Sequence, residues 1–430
     1  MELRNLIVET LKKEVVPAMG CTEPVAVALA CAKVKELINF NHIEKVEVYV
    51  SPNIYKNGLS VGIPNTNEVG LHIAGALGLI GGKSEKDLQV LAGIDEEEVV
   101  LAKALLESGK FILGIKDTKE KIYVEVNLFT DQGSSKSVIK GKHNRFTYLE
   151  RNGEVLVEEK EGASQVKDDM NLLYTLRINE IIKEIEKISY EEIAFMMEGF
   201  EMNEKIAQEG LKQKMGMGVG FNLSENMKKG LLSNDLMNCA MMLTAAASDA
   251  RMSGMSMSVM SSNGSGNNGL TAILPIVAYE NKFNVEREKI AKALAISHIM
   301  NSYIKYYIGR LSALCGCGVA AATGASVAIA WLMGGNDTQI EGTIKNMLAN
   351  VSGMICDGAK VGCALKLSTS AATAVQSALL ALSDNIVPPK NGIIAETAEE
   401  TIKNLGTLSQ EGMSITDDII LKVMKNMQAS

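Results

Sequence analysis

A stretch of 26 residues without a charged side chain, Leu311 to Asn336, is the strongest constraint on how this chain folds. It begins with LSALCGCGVAAATGAS and is rich in Gly, Ala, Ser and Thr, whereas helices that face lipid are dominated by larger residues such as Leu and Phe. The sequence contains no second stretch of comparable apolarity. We therefore expect a helix buried in a helical core rather than a membrane span.

Three patterns of apolar and polar residues follow one another along the 430 residues. Residues 1–40 show helical periodicity in LIVETLKKEVV and EPVAVALACAKVKELI. Residues 41–175 contain KVEVYVS and KIYVEVNLF, in which apolar and polar residues alternate with the period of a strand. Residues 176–430 are almost wholly helical in pattern, and loops rich in Gly, Ser and Asn join the helices. These patterns predict three structural units with those boundaries.

The middle unit is predicted to mix strands and helices. RFTYLERNGEVLVEE is expected to form a hairpin, because Asn152-Gly153 suits a turn with positive φ. SEKDLQVLAGI and EEEVVLAKALLES are expected to be helices, and the charged segment 159–169 is expected to be a boundary. The sequence therefore predicts an α+β fold, in which residues 41–175 form a smaller subdomain and the N-terminal helices pack on the helical unit.

Composition and charge exclude several classes of partner. The net charge of −8 argues against nucleic acid, because phosphate binding requires a basic surface. The N-terminus, MELRNLIVETLKKEVV, carries charges throughout and lacks the basic tip and apolar run of an export signal. We expect a cytoplasmic protein with no membrane partner, whose seven cysteines are reduced thiols or metal ligands.

Common cofactor motifs are not found in the sequence. The four histidines are not paired at helical or zinc-site spacing, and GMGVG at 216–220 is not a dinucleotide fingerprint because no predicted strand precedes it. A Walker phosphate loop is lacking, and no lysine lies in a convincing phosphate-binding context for pyridoxal phosphate. The chemistry is therefore expected to come from thiols and glycine-rich loops.

Five of the seven cysteines lie in contexts typical of loops or helix starts. Cys356 and Cys363 are separated by Gly358 and Gly362, which allow the chain to turn both sulfurs towards one point. The others are Cys315 and Cys317 in LCGCG and Cys21 in MGCTEP. Cys31 and Cys239 are expected to be ordinary core residues. The spacing matches neither a zinc finger nor a ferredoxin, so a metal cluster and buried packing both remain open.

Several long motifs resemble the L-cysteine desulfidase family, whose members are related to the iron–sulfur L-serine dehydratases of the alpha-chain type. The matching segments are GCTEPVAVALA, NIYKNGLSVGIPNT, SDARMSGMSMSVMSSNGSGNNGLTAILP, HIMNSYIKYYIGRLSALCGCGVAAATGAS and ICDGAKVGCALKLSTSA. The resemblance implies a serine-dehydratase-like fold with a largely helical catalytic domain. It also implies a [4Fe-4S] cluster held by Cys315, Cys356 and Cys363, with one iron left free for substrate. Cys317 is the alternative to Cys315.

Cys21 lies just before a helix that Thr22, Glu23 and Pro24 suit as a first turn. The positive end of that helix is expected to lower the pKa of the thiol towards neutrality. The resemblance favours Cys21 as the catalytic residue that accepts the α-proton. The alternative is a buried cysteine that packs under the turn.

Two polar loops are candidates for binding the substrate. SSNGSGNNGL (261–270) offers backbone amides and the side chains of Ser265, Asn267 and Asn268 before an apolar helix, as a carboxylate site requires. YKNGLSVGIPNTN (55–67) offers Lys56, Asn57 and Asn65. Both loops are equally consistent with ordinary Gly/Asn turns. His298 and Lys305 share one helix face and are expected either to line the site or to be a core histidine and a solvated lysine.

The function implied is an iron–sulfur-dependent carbon–sulfur lyase of cysteine catabolism. It would convert L-cysteine and water to pyruvate, ammonia and hydrogen sulfide by α,β-elimination. Two alternatives stay open, an L-serine dehydratase that uses the same cluster and a non-catalytic iron–sulfur or thiol sensor. The expected partners are a small amino-acid substrate and a second copy of the chain in a homodimer.

Overall fold

A computed structural model describes residues 2–64, 66, 68–159 and 170–428. The predicted α+β fold is confirmed, since many helices accompany one small mixed sheet. Asn65 and nearly all of the predicted boundary segment 159–169 lie outside the described residues.

The α-helices of the described ranges are numbered in chain order. They are α1 (Leu3–Glu14), α2 (Thr22–Leu37), α3 (Pro52–Gly58), α4 (Leu71–Ile80), α5 (Glu96–Glu107), α6 (Met170–Leu173), α7 (Ile178–Lys187), α8 (Tyr190–Ile193), α9 (Met196–Lys212), α10 (Val219–Lys228), α11 (Leu236–Met252), α12 (Gly266–Phe283), α13 (Arg287–Ile308), α14 (Ala322–Leu332), α15 (Asp337–Val351), α16 (Cys363–Leu382), α17 (Ala398–Thr407) and α18 (Thr416–Gln428).

The strands form one six-stranded sheet and one two-stranded ribbon. They are β1 (Pro17–Met19), β2 (Ile43–Val50), β3 (Phe111–Ile115), β4 (Tyr123–Thr130), β5 (Gly133–Lys140), β6 (Phe146–Arg151), β7 (Glu154–Glu158) and β8 (Ser258–Met260). The sheet has the order β3-β2-β4-β5-β6-β7. Only the β2–β3 pair is parallel. The ribbon pairs β1 with β8 in antiparallel register, and so joins the N-terminal segment to the helical part of the chain.

The sheet and helices α2 and α4 enclose one of the two large hydrophobic cores of the described residues. Helix α4 approaches α2 so closely that a Cβ at Gly78 would lie 2.2 Å from the Ala28 carbonyl oxygen. Ser135 and Ser137 of β5 donate hydrogen bonds to carbonyl oxygens of α2 at 2.8 and 2.9 Å. Helix α2 therefore belongs to the sheet's core.

The other core is helical and contains α1 together with α7, α9 and α11–α17. The charge-free stretch lies at its centre, as one π-helical turn over Cys317–Ala321 followed by α14. A Cβ at Gly324 would lie 2.2 Å from the Ser297 carbonyl oxygen, so glycine permits the close packing of α14 on α13. Among the described residues, no helix combines the length and apolarity needed to cross a membrane. The first 40 residues are thus shared between the two cores, α1 in one and α2 in the other.

The local predictions in the middle of the chain have mixed outcomes. The hairpin is confirmed, because β6 and β7 pair across Asn152 and Gly153, which both have positive φ. EEEVVLAKALLES is confirmed as α5, which Asp95 caps through the amide of Glu98. The predicted helix in SEKDLQVLAGI is wrong. It forms a short 3₁₀ segment over Ser84–Gln89, interrupted by a positive φ at Asp87.

The GMGVG segment starts α10 and surrounds a buried carboxylate. Backbone amides of this segment point at Asp249 of α11, and the amide of Gly220 donates to Oδ2 at 3.0 Å. Oδ1 of Asp249 is buried without a hydrogen-bond partner among the described residues. Burial raises the pKa of Asp249 to about 6, although the amides act in the opposite direction.

This raised pKa predicts a pH-dependent stability. The folded chain holds the Asp249 proton more tightly than the unfolded chain, so the stabilisation is present below pH 4 and is lost as the pH rises through about 6. Relative to Asp249→Asn, the free energy of unfolding of the wild type should fall by about 2–3 kcal/mol between pH 4 and pH 7. Urea denaturation at a series of pH values measures it. Asp117→Asn, in an exposed loop, is the control, and a pH-independent difference for Asp249→Asn would contradict the prediction.

Candidate active site

A cavity lies where the two cores meet, and both cores contribute to its wall. The sheet's core provides the start of α2, the end of α3 and the loop between β5 and β6. The helical core provides the end of α11, the loop before α12, the end of α13 and the start of α16. Five of the seven thiols line this cavity, namely Cys21, Cys315, Cys317, Cys356 and Cys363. All seven cysteines are free thiols.

Two cysteine-containing loops are joined by a short antiparallel bridge between Leu314 and Ile355. The amide of Cys315 donates to the Met354 carbonyl at 2.8 Å, and the amide of Cys356 donates to the Ala313 carbonyl at 2.7 Å. This bridge brings together residues that lie about 40 positions apart in the sequence. Cys315, Cys317, Cys356 and Cys363 are the four thiols around this bridge, and the last of them is the first residue of α16.

The second loop is held from outside by α3. Gly358 has a φ of +93°, and a Cβ there would lie 2.4 Å from the Lys56 carbonyl oxygen. The ammonium group of Lys56 donates to the Cys356 carbonyl at 3.0 Å and pairs with Asp417 of α18. Lys56 is 2% exposed and lies behind the cysteine loop instead of lining the cavity. Its position is suited to holding the loop.

The thiols around the bridge differ in acidity. Hydrogen bonds from Cys317 and from nearby backbone amides lower the pKa of Cys315, and the positive charge of Lys366 acts in the same direction. The pKa of Cys317 is raised, first by its hydrogen bond with Cys315 and then by burial. Burial raises the pKa of Cys356, and it raises the pKa of Cys363 to about 11. Cys315 is therefore the thiol of this group that most readily becomes a thiolate.

The candidate metal ligands around the bridge are thiols on two loops. Among the described residues, no three His, Cys, Asp or Glu side chains converge on one metal ion. An iron–sulfur cluster makes a different demand, because it is held by thiolates and each thiolate binds a separate iron. Thiols on two bridged loops around one cavity match that demand.

Cys21 is the residue before α2, and it packs with Val61 and Met252 in a small cluster against which Cys363 also packs. Burial raises the pKa of its thiol to about 12, while the hydrogen-bonded guanidinium of Arg251 acts in the opposite direction. The expectation that the helix start brings this pKa towards neutrality is therefore wrong in the ligand-free chain. The reason is that the thiol is 4% exposed, so the cost of burying a charge exceeds the effect of the helix end.

Arg251 is a cavity residue that the sequence analysis did not select. It is 3% exposed and forms no ion pair with any described carboxylate. It donates to the Gly20 carbonyl at 2.7 Å and to Oδ1 of Asn267 at 2.8 Å, and its Nε has no partner. A buried cation without a counter-ion is costly unless an anion binds beside it. Its signal in the sequence is a lone arginine near the end of a long helix that is otherwise almost uncharged.

The loop before α12 supplies three predicted residues in different ways. Ser265 caps the helix, since its hydroxyl accepts from the Asn268 amide at 3.4 Å. Asn267 holds Arg251, as described above. Asn268 is buried at the cavity wall, and its Nδ2 has no partner among the described residues. The structure thus brings all three to the cavity, and Asn268 has a free donor there.

The start of α2 and the end of α3 form a second polar corner. Asn57 lines the cavity and donates to Oε1 of Glu23 at 3.1 Å. Oε2 of Glu23 accepts from the Thr22 hydroxyl at 3.1 Å. Sequence analysis treated Glu23 only as a helix-start residue, because its burial depends on α3 packing over it.

One residue of α13 lines the cavity and another lies behind its wall. Lys305 lines the cavity, is 7% exposed, and forms neither a hydrogen bond nor an ion pair with the described residues. Burial lowers its pKa to about 8. His298 lies behind, with Nδ1 2.9 Å from the Ser262 hydroxyl, so it supports the 261–270 loop. His143, from the loop between β5 and β6, also reaches the cavity, and sequence analysis did not select it.

Comparison with known proteins identifies the family. A family model described as serine dehydratase alpha chain matches residues 85–422. The chain belongs to the serine dehydratase alpha-chain family. It is also 66% identical over 428 residues to a UPF0597 protein of Alkaliphilus oremlandii, with 100% of both chains covered. A UPF0597 protein of Clostridioides difficile is 54% identical over 97% of this chain and 99% of that relative.

Membership of the serine dehydratase alpha-chain family confirms the iron–sulfur serine-dehydratase-like part of the predicted resemblance, and with it lyase-type chemistry. The match covers the four thiols around the Leu314–Ile355 bridge, as well as Arg251 and the loop before α12. Cys21, Glu23 and Asn57 precede its first matched residue, although the full-length relatives cover them.

Proposed function

We propose that this chain is an iron–sulfur-dependent lyase that degrades L-cysteine by α,β-elimination. The observation that carries the proposal is that four thiols on two bridged loops line one cavity together with Cys21, Arg251 and Asn268. The first group has the chemistry of a cluster site and the second that of an amino-acid site. A non-catalytic sensor would require only the first.

Cys315, Cys356 and Cys363 are the residues that would hold a [4Fe-4S] cluster. Cys315 is preferred to Cys317 because it adjoins the bridge, where the amides of Cys315 and Cys356 bond to the opposite strand on neighbouring residues. When bound, the cluster supplies an iron without a protein ligand, which is a Lewis-acid position for the β-substituent of the substrate.

The chain's own residues are assigned to the other two parts of the substrate. Arg251 and Asn268 bind the α-carboxylate, since each is a buried residue of the cavity wall with one donor, Nε of Arg251 and Nδ2 of Asn268, that has no acceptor among the described residues. Cys21 removes the α-proton. Burial raises the pKa of its thiol, and the neighbouring guanidinium of Arg251 acts in the opposite direction and stabilises the thiolate.

The reaction balances without a further co-reactant. Loss of the α-proton and of the β-sulfur from L-cysteine gives hydrogen sulfide and 2-aminoacrylate. Aminoacrylate tautomerises to the imine, and water hydrolyses the imine to pyruvate and ammonia.

L-Serine is the second candidate substrate, and the match to the serine dehydratase alpha chain favours it. The same residues would act on it, with water as the leaving group in place of hydrogen sulfide. We favour cysteine because sulfur is the softer donor and suits an exposed cluster iron better than a hydroxyl.

The function is tested with anaerobically reconstituted full-length protein. We expect pyruvate and sulfide in equal amounts from L-cysteine, and a kcat/KM for L-serine that is lower by about 10-fold or more. A higher kcat/KM for L-serine would assign the chain as a serine dehydratase. Cluster absorption without turnover of either substrate would favour the sensor.

The cluster assignment predicts selective loss of iron. After anaerobic reconstitution, Cys315→Ser, Cys356→Ser and Cys363→Ser should each lose most of the iron and labile sulfide bound per chain, because each removes a thiolate ligand. Cys317→Ser and Cys239→Ser should retain them. Loss of iron in Cys317→Ser with retention in Cys315→Ser would exchange the roles of the two thiols.

The proton-transfer role predicts that Cys21→Ser keeps the cluster but loses turnover. A serine hydroxyl is similar in size but far less acidic, and loss of a positioned acid–base group typically costs about 100- to 10,000-fold in kcat. Exchange of the α-proton with deuterated solvent should fall in parallel. Cys31→Ser, on the same helix, is the matched control. Retention of full exchange in Cys21→Ser would assign the base to another residue.

A further inference from the structure

The cavity contains a buried negative charge that the proposed elimination does not use. The carboxylate of Glu23 is 8% exposed, and its oxygens accept hydrogen bonds from Thr22 and Asn57, both at 3.1 Å. No Lys, Arg or His side chain of the described residues forms an ion pair with it. A buried carboxylate satisfied only by neutral donors remains poorly compensated, and a cation beside it would stabilise it.

A second, independent atom points to the same kind of ligand. Oδ1 of Asn57 is buried and has no hydrogen-bond partner among the described residues, and Asn57 lines the cavity. The Nδ2 of the same amide is already used on Glu23. This corner therefore offers a negative charge and a free acceptor, which together suit a small group that is positively charged and donates several hydrogen bonds. An alkylammonium group, with three donors and no acceptor, has that chemistry.

The part of the cavity wall that the helical core provides has the complementary pattern. Arg251 is a buried cation without a counter-ion, and Asn268 has a free donor. Cys21 is close to both parts of the wall, since it is hydrogen-bonded to Arg251 and lies two residues before Glu23. A ligand with an anionic end, a cationic end and a carbon between them would satisfy the unpartnered groups of both parts at once.

We propose that Glu23 and Asn57 bind the α-ammonium group of the substrate and so restrict the site to α-amino acids. The inference rests on the proposed function, because it assumes that an amino acid occupies this cavity. Glu23 and Asn57 belong to the sheet's core, whereas Arg251 and Asn268 belong to the helical core. The bound zwitterion therefore connects the two cores, with its α-carbon held at Cys21.

Two other roles for Glu23 make different predictions. If Glu23 only holds Thr22 and Asn57 in place, its loss should weaken every ligand of the cavity equally. If Glu23 is the base, its loss should abolish α-proton exchange while leaving ligand affinity unchanged. Ammonium recognition alone predicts that affinity depends on whether the ligand carries an amino group.

The test compares L-alanine with propionate, which differ only in the α-amino group. Neither has a β leaving group, so binding is measured without elimination, by calorimetry on the anaerobic, cluster-loaded protein. Glu23→Gln should weaken L-alanine binding by about 10- to 100-fold, the usual cost of losing a charged hydrogen bond. It should leave propionate binding unchanged. Asn57→Leu should show the same selectivity with a smaller loss, and it keeps the test decisive if Glu23→Gln fails to fold.

The controls separate this inference from the proposed function. Glu125→Gln replaces another buried glutamate, which pairs with Lys116 and Lys136 in the sheet, and should leave both affinities unchanged. Arg251→Met should weaken both ligands, because both carry the carboxylate. Equal losses for the two ligands in Glu23→Gln, no loss for either, or no L-alanine binding by the wild type would overturn the inference. Wild-type protein that binds L-alanine selectively but releases neither sulfide nor pyruvate would overturn the proposed function alone.

Discussion

The candidate site depends on the antiparallel bridge between Leu314 and Ile355. Its two backbone hydrogen bonds hold Cys315 beside Cys356, and without them these thiols would lie on separate loops. The bridge is short, so it depends on support from both sides. Lys56 and Gly358 fix the second loop against α3, and α14 anchors the first loop in the helical core.

The charged side chains around the cavity differ in whether they are paired with an opposite charge. The cations that support the loops are paired, as Lys56 is with Asp417 and Lys366 with Asp357. Of the cations that line the cavity, Arg310 and Lys366 are paired with carboxylates, whereas Arg251 and Lys305 are without a carboxylate partner among the described residues, and so is the anion Glu23. Because an unpaired buried charge destabilises the folded chain, its concentration in one cavity is better explained by ligand binding than by folding.

The position of the cavity between the two cores also has a consequence for assembly of the site. The thiols, Arg251 and the loop before α12 belong to the helical core, whereas Glu23 and Asn57 belong to the sheet's core. A change in how the cores pack would move the ammonium site relative to the carboxylate site, and it would also move α3 relative to the Cys356 loop that Lys56 holds. Binding of the substrate and the arrangement of the thiols are therefore linked through α3.

The sequence alone was sufficient for features that depend on local chemistry. Period-two alternation and the Asn152-Gly153 turn predicted the hairpin, the charge-free stretch predicted a buried helix, and the spaced cysteines with their glycines pointed to one thiol site. The tertiary structure alone decided burial and partners. Glu23 and Arg251 are ordinary surface residue types until α3 and α12 cover them, and Lys56 was assigned to the substrate although its ammonium group supports the Cys356 loop. The pKa of Cys21 followed the same rule, because the effect of a helix start is visible in the sequence, whereas the larger cost of removing a charge from water is set by packing from distant segments.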